Sequence, residues 1–481
     1  MENLKEFLGA ADAFIWGPVT LVFLMGTGLY LTLGLRGRSF SRIVYGLAAL
    51  WRGRAAEPGA QGQATPFAAL SIALAATIGT GNIAGVATAI ALGGPGAVFW
   101  MWLTAWVGMA MNFAETALAV TYREVDGRGE WVGGPMYYIK NGLGRRWRWL
   151  AALFAFFGVV SSFGGGNALQ ASTLADAAAV YLGMPAWATA CLLAALTLLV
   201  MAGGTARLAR VVGILVPVMV VGFVGGGLAV IALNVEKLPG AIGLILSDAF
   251  TGTAAAGGFA GSTVMAAVHF GVARGIFSNE AGLGTIPMAH AIAQTRHPVR
   301  QAAIGMLGPF IDTLIVCTTT GLVIVMTGAW QVGVTGAPLA GRAFATGLPG
   351  AGPAVIGFGL ILFTYTTLLG WSFYGERLAG YLWGPRAVLP YRTLFLAMIF
   401  VGVLAKERLD LLWLVSTGLN GLMAFPNLIA LLLLSPVVFR MTIDYFALAR
   451  NGQPDIPWPD PQGNIAPPPE KPQPAALLRP E

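Results

Sequence analysis

Long apolar stretches, punctuated by short clusters of arginine and glycine, dominate the chain. A helix that crosses a bilayer needs roughly 20 mostly apolar residues. Eleven segments meet that requirement: 14–35, 65–92, 95–122, 148–180, 186–203, 207–234, 262–292, 299–328, 353–383, 388–405 and 409–437. Segment 40–52 (FSRIVYGLAALWR) is amphipathic and basic and is expected to lie on the membrane surface rather than cross it.

Most of these spans are plain, but two are not. The second carries Gly79-Thr80-Gly81-Asn82 at its centre, and the seventh carries Arg274, Ser278, Asn279, Glu280, Gly282 and Gly284. Backbone leaves the helix inside a bilayer only where it lines a cavity or is buried in protein, and glycine makes the departure cheap. Small residues also line helix interfaces, and Gly85, Gly93 and Gly94 fit that role. Packing does not account for Asn, Ser, Glu and Arg beside the glycines, so both spans are read as broken helices. If each opens a repeat, the repeats cover 65–234 and 262–437 with five spans apiece. Five is odd, so the second repeat is inverted relative to the first. Gly-interrupted spans at corresponding positions of two halves point to a transport site. Residues 1–64 then hold one extra N-terminal helix and the amphipathic segment.

Composition supports a membrane protein. Charged residues make up 10% of the 481 and hydrophobic residues 56%, against about 25% charged in soluble chains. This excludes a soluble enzyme, and the net charge of +7 is explained without nucleic acid. Of 28 basic residues, 22 fall after odd-numbered spans or in the tail. By the positive-inside rule the N-terminus is outside and the C-terminus inside. The expected fold is an all-α polytopic membrane protein of 11 transmembrane helices, in the plasma membrane, or the inner membrane of a Gram-negative cell. Cys191 and Cys317 lie far apart in apolar segments and do not suggest a disulfide framework. The start has acids beside one Lys and reads as a retained helix rather than a signal. Residues 451–481 hold ten prolines and are expected to form an extended cytoplasmic tail.

The polar groups of the two breaks suggest a zwitterion and a hard cation at the midplane. A half-helix N-terminus suits a carboxylate, and unwound carbonyls with nearby hydroxyls suit Na⁺. Gln170 and Asn167 follow Gly164-Gly165-Gly166 in the fourth span; such an amide reads a substrate or ties two helices. Thr366 and Thr367 sit in mid-ninth span, as cation ligands or in the usual bond to a preceding carbonyl. Trp371 shares the face of Thr367, as pocket wall or core. Intramembrane charge is costly and defaults to function, which singles out Glu115, Asp312, Arg274 and Glu280. Arg274 and Glu280 are six apart and are expected to pair across the break, as a structural or gating pair. His269 and His290 are read as packing histidines rather than proton carriers.

Several long runs resemble the alanine-or-glycine:cation symporter family: TIGTGNIAGVATAIALGGPGAVFWMW at 77–102, VGGPMYYIKNGLG at 132–144 and GIFSNEAGLGTIPMAHAIAQTRHPVRQ at 275–301. The likeness runs from about residue 10 to 450, leaving the Pro-rich tail outside it; Trp106 replaces a more usual aliphatic residue. The family resembles the leucine-transporter-like fold, two inverted five-helix repeats plus one helix. The resemblance implies import of a small neutral amino acid, alanine or glycine, with Na⁺ as co-transported ion and no cofactor. It implies that Thr77, Gly79, Thr80 and Gly81 hold the carboxylate, that Phe277, Ser278 and Asn279 line the substrate, and that Gln170 and Trp371 close the pocket. It assigns the cation to the carbonyls of Ala75, Ile78 and Phe363 and the hydroxyls of Thr366 and Thr367.

Other classes fare worse. A channel needs a ring of like groups or a continuous pore. An intramembrane hydrolase finds only Gly370-Trp371-Ser372, with no histidine partner and no HExxH. A carrier of another small solute, or an H⁺-coupled one, on the same fold stays open, as do chirality and stoichiometry.

Overall fold

The computed structural model describes residues 2–55, 59–251, 264–404 and 409–450. The Pro-rich tail lies outside the described residues. Helix accounts for nearly all of them, with one two-stranded antiparallel hairpin pairing Glu124–Val125 with Trp131–Val132. Eight described helices are long and apolar enough to cross a membrane, nine if the bent pair Pro66–Thr77 and Gly81–Gly93 is one span. All eleven apolar segments carry helix. The two outside that number are Ala186–Ala202, at 17 residues, and the interrupted 264–291 segment. Sequence patterning missed the helices Leu238–Thr251 and Gly336–Gly347. The helix Ile43–Arg52 is short and half-exposed, with Trp51 outward.

Burial sorts the helices into a centre and a periphery. The most apolar window of Ala97–Thr121 is 72% buried, that of Gly204–Leu233 only 28%. The latter exposes Ile214, Val218, Val221 and Leu228, the apolar coat that a lipid-facing helix needs because lipid is its solvent. The centre is polar by comparison. Asn82, Asn112, Glu115, Ser278, His290, Gln301 and Asp312 are all buried there.

Local sequence sets the ends of the broken helices. Thr65 caps Pro66–Thr77 by accepting from the Ala68 N–H (3.2 Å), with Pro66 at the first helical position. The chain then bends by 54°, and Gly81–Gly85 continues as a wide π turn. The other break begins at Glu280, which follows Val264–Asn279. There Glu280, Gly282 and Gly284 all take positive φ, at 50°, 84° and 82°. Further π turns at Gly164–Ala168 and Phe310–Cys317 face the same centre. Such turns concentrate at functional sites.

At the end of the bundle that carries most basic residues, the 124–132 hairpin is lashed to the end of Gly352–Trp383. Glu376 receives Arg128 (3.3 Å) and Arg392 (2.7 Å). Burial works to raise Asp126, but the N–H groups of Glu130 and Arg128 and the Arg128 charge outweigh it and hold the carboxyl low.

Candidate substrate and cation site

The first break is held by side chains as well as by its own backbone. The Gly79 N–H donates to Asn82 Oδ1 (2.8 Å), and Asn82 Nδ2 donates to Asp312 Oδ1 (2.6 Å). Asp312 also accepts from Ser278 (2.9 Å) and Thr313 (2.8 Å). One buried carboxylate therefore ties the first break, the second broken helix and the Phe310–Cys317 turn together. Asn279 adds a bond from Nδ2 to Thr313 Oγ1 (3.2 Å) and caps its own helix end by accepting from the Ala281 N–H (3.1 Å).

On the opposite flank, Gly352–Trp383 approaches the break at backbone distance. A Cβ on Gly370 would lie 2.7 Å from Ala76 backbone, and one on Gly79 would lie 2.5 Å from Thr367 Oγ1. Glycine is required at both for steric reasons. This contact brings the Thr367 hydroxyl to the Ile78 carbonyl, to which it donates at 3.1 Å. A hydroxyl oxygen and a break carbonyl thus sit together, as a monovalent cation site requires.

Between the two breaks lies a cavity of about 30 Å³, bordered by Thr77, Gly79, Thr80, Gly81, Gln170, Phe277, Glu280, Thr367, Trp371, Ser416, Thr417 and Asn420 among others. That volume is about the space of one or two waters, so an amino acid enters only if the walls move apart. One wall is the first turn of Gly81–Gly93, where early amides lack upstream helical carbonyls apart from the Asn82 N–H, which donates to the Gly79 carbonyl (3.2 Å). Gln170 Nε2 donates to the Gly165 carbonyl (3.1 Å) and reaches Thr80 Oγ1 (3.4 Å). Trp371 Nε1 donates to Glu280 Oε1 (3.2 Å) and Thr285 to Glu280 Oε2 (2.5 Å). The side-chain oxygens of Gln170 and Asn420 are buried without a hydrogen-bond partner. Thr80, Gly81 and Phe277 also border a second cavity of about 700 Å³, lined by Arg274, Asp176 and Tyr181. These three residues form the wall between cavity and vestibule.

Nine expected residues come together here: Thr77, Gly79, Thr80, Gly81, Gln170, Phe277, Trp371, Ile78 and Thr367. Five do not border the cavity. Ser278 and Asn279 bond to the eighth span instead. Each step along a helix turns a side chain by about 100°, so when Phe277 faces the cavity its two successors cannot. Thr366 donates to the Leu362 carbonyl (2.9 Å) of its own helix, the ordinary fate of a helical threonine. The Phe363 ring packs on Phe223 (5.1 Å), and its carbonyl accepts from Thr366 (3.1 Å). Ala75 is buried within Pro66–Thr77. The expected Arg274–Glu280 pair is also absent. Val264–Asn279 is one continuous helix, which sends Arg274 to the vestibule near Asp12 and leaves Glu280 to Thr285 and Trp371. Asn167 ties helices, donating to the Phe395 carbonyl (2.6 Å).

Sequence reasoning passed over Asn420, Ser416 and Thr417, which sit in an otherwise plain apolar span. It also passed over Asn427, which donates to Glu115 Oε1 (2.5 Å) and the Gly282 carbonyl (2.9 Å) and accepts from Tyr138. This latch pins the second break from the same helix that brings Asn420 to the cavity.

The family model described as the sodium:alanine symporter family matches residues 1–456. The chain belongs to that family. An uncharacterized transporter of Haemophilus influenzae is 49% identical over 92% of this chain and 96% of its own length. The sodium/alanine symporter AgcS of Methanococcus maripaludis is 44% identical over 93% and 99%. A probable sodium/glutamine symporter, GlnT of Bacillus subtilis, is 36% identical over 95% and 94%. This member of the family is a multi-pass protein of the plasma membrane, and the family is one of transporters.

Proposed function

We propose that the protein imports a small neutral amino acid, alanine or glycine, together with Na⁺. The observation that carries this is the 30 Å³ cavity bounded by the Gly81–Gly93 N-terminus on one side and by Thr367 against Ile78 on the other. The N-terminal amides of Gly81–Gly93 take the substrate carboxylate. The Ile78 carbonyl and Thr367 hydroxyl take the Na⁺, with Ala75 and Phe363 carbonyls and Thr366 as further ligands after rearrangement. The close walls at Gln170, Phe277 and Trp371 leave less room for a side chain as long as that of glutamine than for alanine or glycine. The chain crosses the membrane eleven times, N-terminus outside and C-terminus inside, with inverted repeats 65–234 and 262–437 rocking about the site. On that orientation the vestibule opens outward, and Phe277 closes over the cavity. There is no enzymatic step and no nucleic-acid partner.

A zwitterion carried with one Na⁺ moves one charge, worth about 2.3 kcal/mol per 100 mV. At roughly 1.4 kcal/mol per tenfold ratio, voltage alone supports about 50-fold accumulation. The test is uptake of labelled alanine into proteoliposomes with Na⁺ and pH gradients imposed separately. Uptake driven by the Na⁺ gradient is expected. Equal uptake with choline in place of Na⁺ at fixed pH overturns the coupling, and uptake driven by pH alone replaces Na⁺ with H⁺.

A further inference from the structure

We infer that Glu280, with the side-chain oxygens of Gln170 and Asn420, is the subsite that holds the α-ammonium of the transported amino acid. The inference rests on the proposed transport function and assigns the end of the substrate which that reading left unplaced. Glu280 is the one formally charged residue bordering the cavity among the described residues. It is buried, its hydrogen-bond partners are the neutral donors Trp371 and Thr285, and it forms no ion pair among the described residues. A buried carboxylate with neutral partners alone is costly, and a cation at the same place removes the cost. Its backbone adds a second observation. At φ 50° Glu280 occupies a region that favours glycine. A non-glycine residue persists there when its surroundings hold it, commonly for function.

The neighbouring oxygens select among cations. Gln170 Oε1 and Asn420 Oδ1 border the same cavity, each buried and without a donor. The Gln170 amide is oriented by its Nε2 bond to the Gly165 carbonyl (3.1 Å), so its oxygen is the end left over. Three acceptors lacking a positive partner match the three N–H bonds of an ammonium group. The rings of Phe277 and Trp371 border the same space. Na⁺ fits less well, because a hard ion needs oxygen on most sides where these rings stand. The amino acid then lies across the cavity, carboxylate on the Gly81–Gly93 end and ammonium on the second break. Both broken helices hold one molecule by opposite charges.

The experiment compares alanine with propionate, which keeps the carboxylate and lacks the amine, on purified protein. Wild-type uptake of alanine is read first; its failure overturns the transport reading before any substitution is made. Expected next is that wild-type protein binds alanine at least about 100-fold more tightly than propionate. Glu280→Gln is expected to weaken alanine binding by about 100-fold or more while ²²Na⁺ binding without alanine stays within about threefold. Asn420→Leu is expected to weaken alanine at least about tenfold, as for one hydrogen bond to a charged group. If Glu280→Gln fails to fold, the propionate comparison and Asn420→Leu decide. Unchanged alanine affinity in Glu280→Gln, or propionate binding as well as alanine, overturns the assignment. Loss of ²²Na⁺ binding without alanine also overturns it, by making Glu280 a sodium ligand.

Discussion

Replacing Gly79 by alanine tests the seam between the first break and Gly352–Trp383. The added Cβ would stand 2.5 Å from Thr367 Oγ1 and 3.4 Å from Thr367 Cβ and Cγ2. The two carbons are at ordinary contact distance, so the whole clash falls on the hydroxyl. Thr367 must turn away, and its 3.1 Å bond to the Ile78 carbonyl is lost. Overpacking costs about 1–3 kcal/mol and the lost bond about 1 kcal/mol, so Gly79→Ala should destabilise by about 2–4 kcal/mol. Thr367→Ala removes the oxygen and leaves only the Cβ contact. In that background Gly79→Ala should cost less than about 1 kcal/mol, a coupling of about 1–3 kcal/mol, which is the size expected of residues in contact. The assay is thermal unfolding of the four proteins in one detergent, with Na⁺ held constant. Equal destabilisation by Gly79→Ala in both backgrounds would refute the steric account. So would a neutral effect in the wild type.

Other expectations follow from the same geometry. Thr367→Val should raise the Na⁺ concentration for half-maximal uptake about tenfold, by loss of one oxygen, whereas Thr366→Val should move it much less; the reverse ranking in a Na⁺ titration places the ion elsewhere. Burial lowers His297 to about 4, so the protein is stabilised by its neutral form above the ordinary value near 6.5 and loses that stability as pH falls through the window down to 4. By pH 5 the loss is about 2 kcal/mol; His297→Asn, which keeps a cap for Pro298–Gly305, should flatten melting temperature against pH. Arg128→Ala should change stability by less than about 1 kcal/mol, because its partners are partly exposed; a larger fall in melting temperature would make the hairpin a structural clamp.

The two breaks were legible because glycine and polar residues interrupt apolar runs, a contrast that needs no partner to be seen. The sides of the cavity were less so. Ser278 and Asn279 lie in the same motif as Phe277, and proximity in sequence suggested a shared role, but helical rotation aims them at Asp312 and Thr313. Asp312 stood out by its charge. Its tie to Asn82 spans 230 residues, and no local pattern encodes such a pairing. Asn420 is one of a few polar residues, with Ser416, Thr417 and Asn427, in a span that otherwise reads as any lipid-crossing helix, so only packing reveals which of them faces the cavity. Conversely, Thr366 and Thr367 look equivalent on paper, and only the approach of Ala76 to Gly370 separates them.

That approach also determines what motion is cheap. Ala76, Gly79 and Gly370 present nothing larger than a methyl group, so of the four positions at the seam only Thr367 has a side chain to withdraw when the helices part. Its grip comes from one hydroxyl and one carbonyl oxygen. Two smooth surfaces joined at a single polar point behave as a bearing with a removable pin.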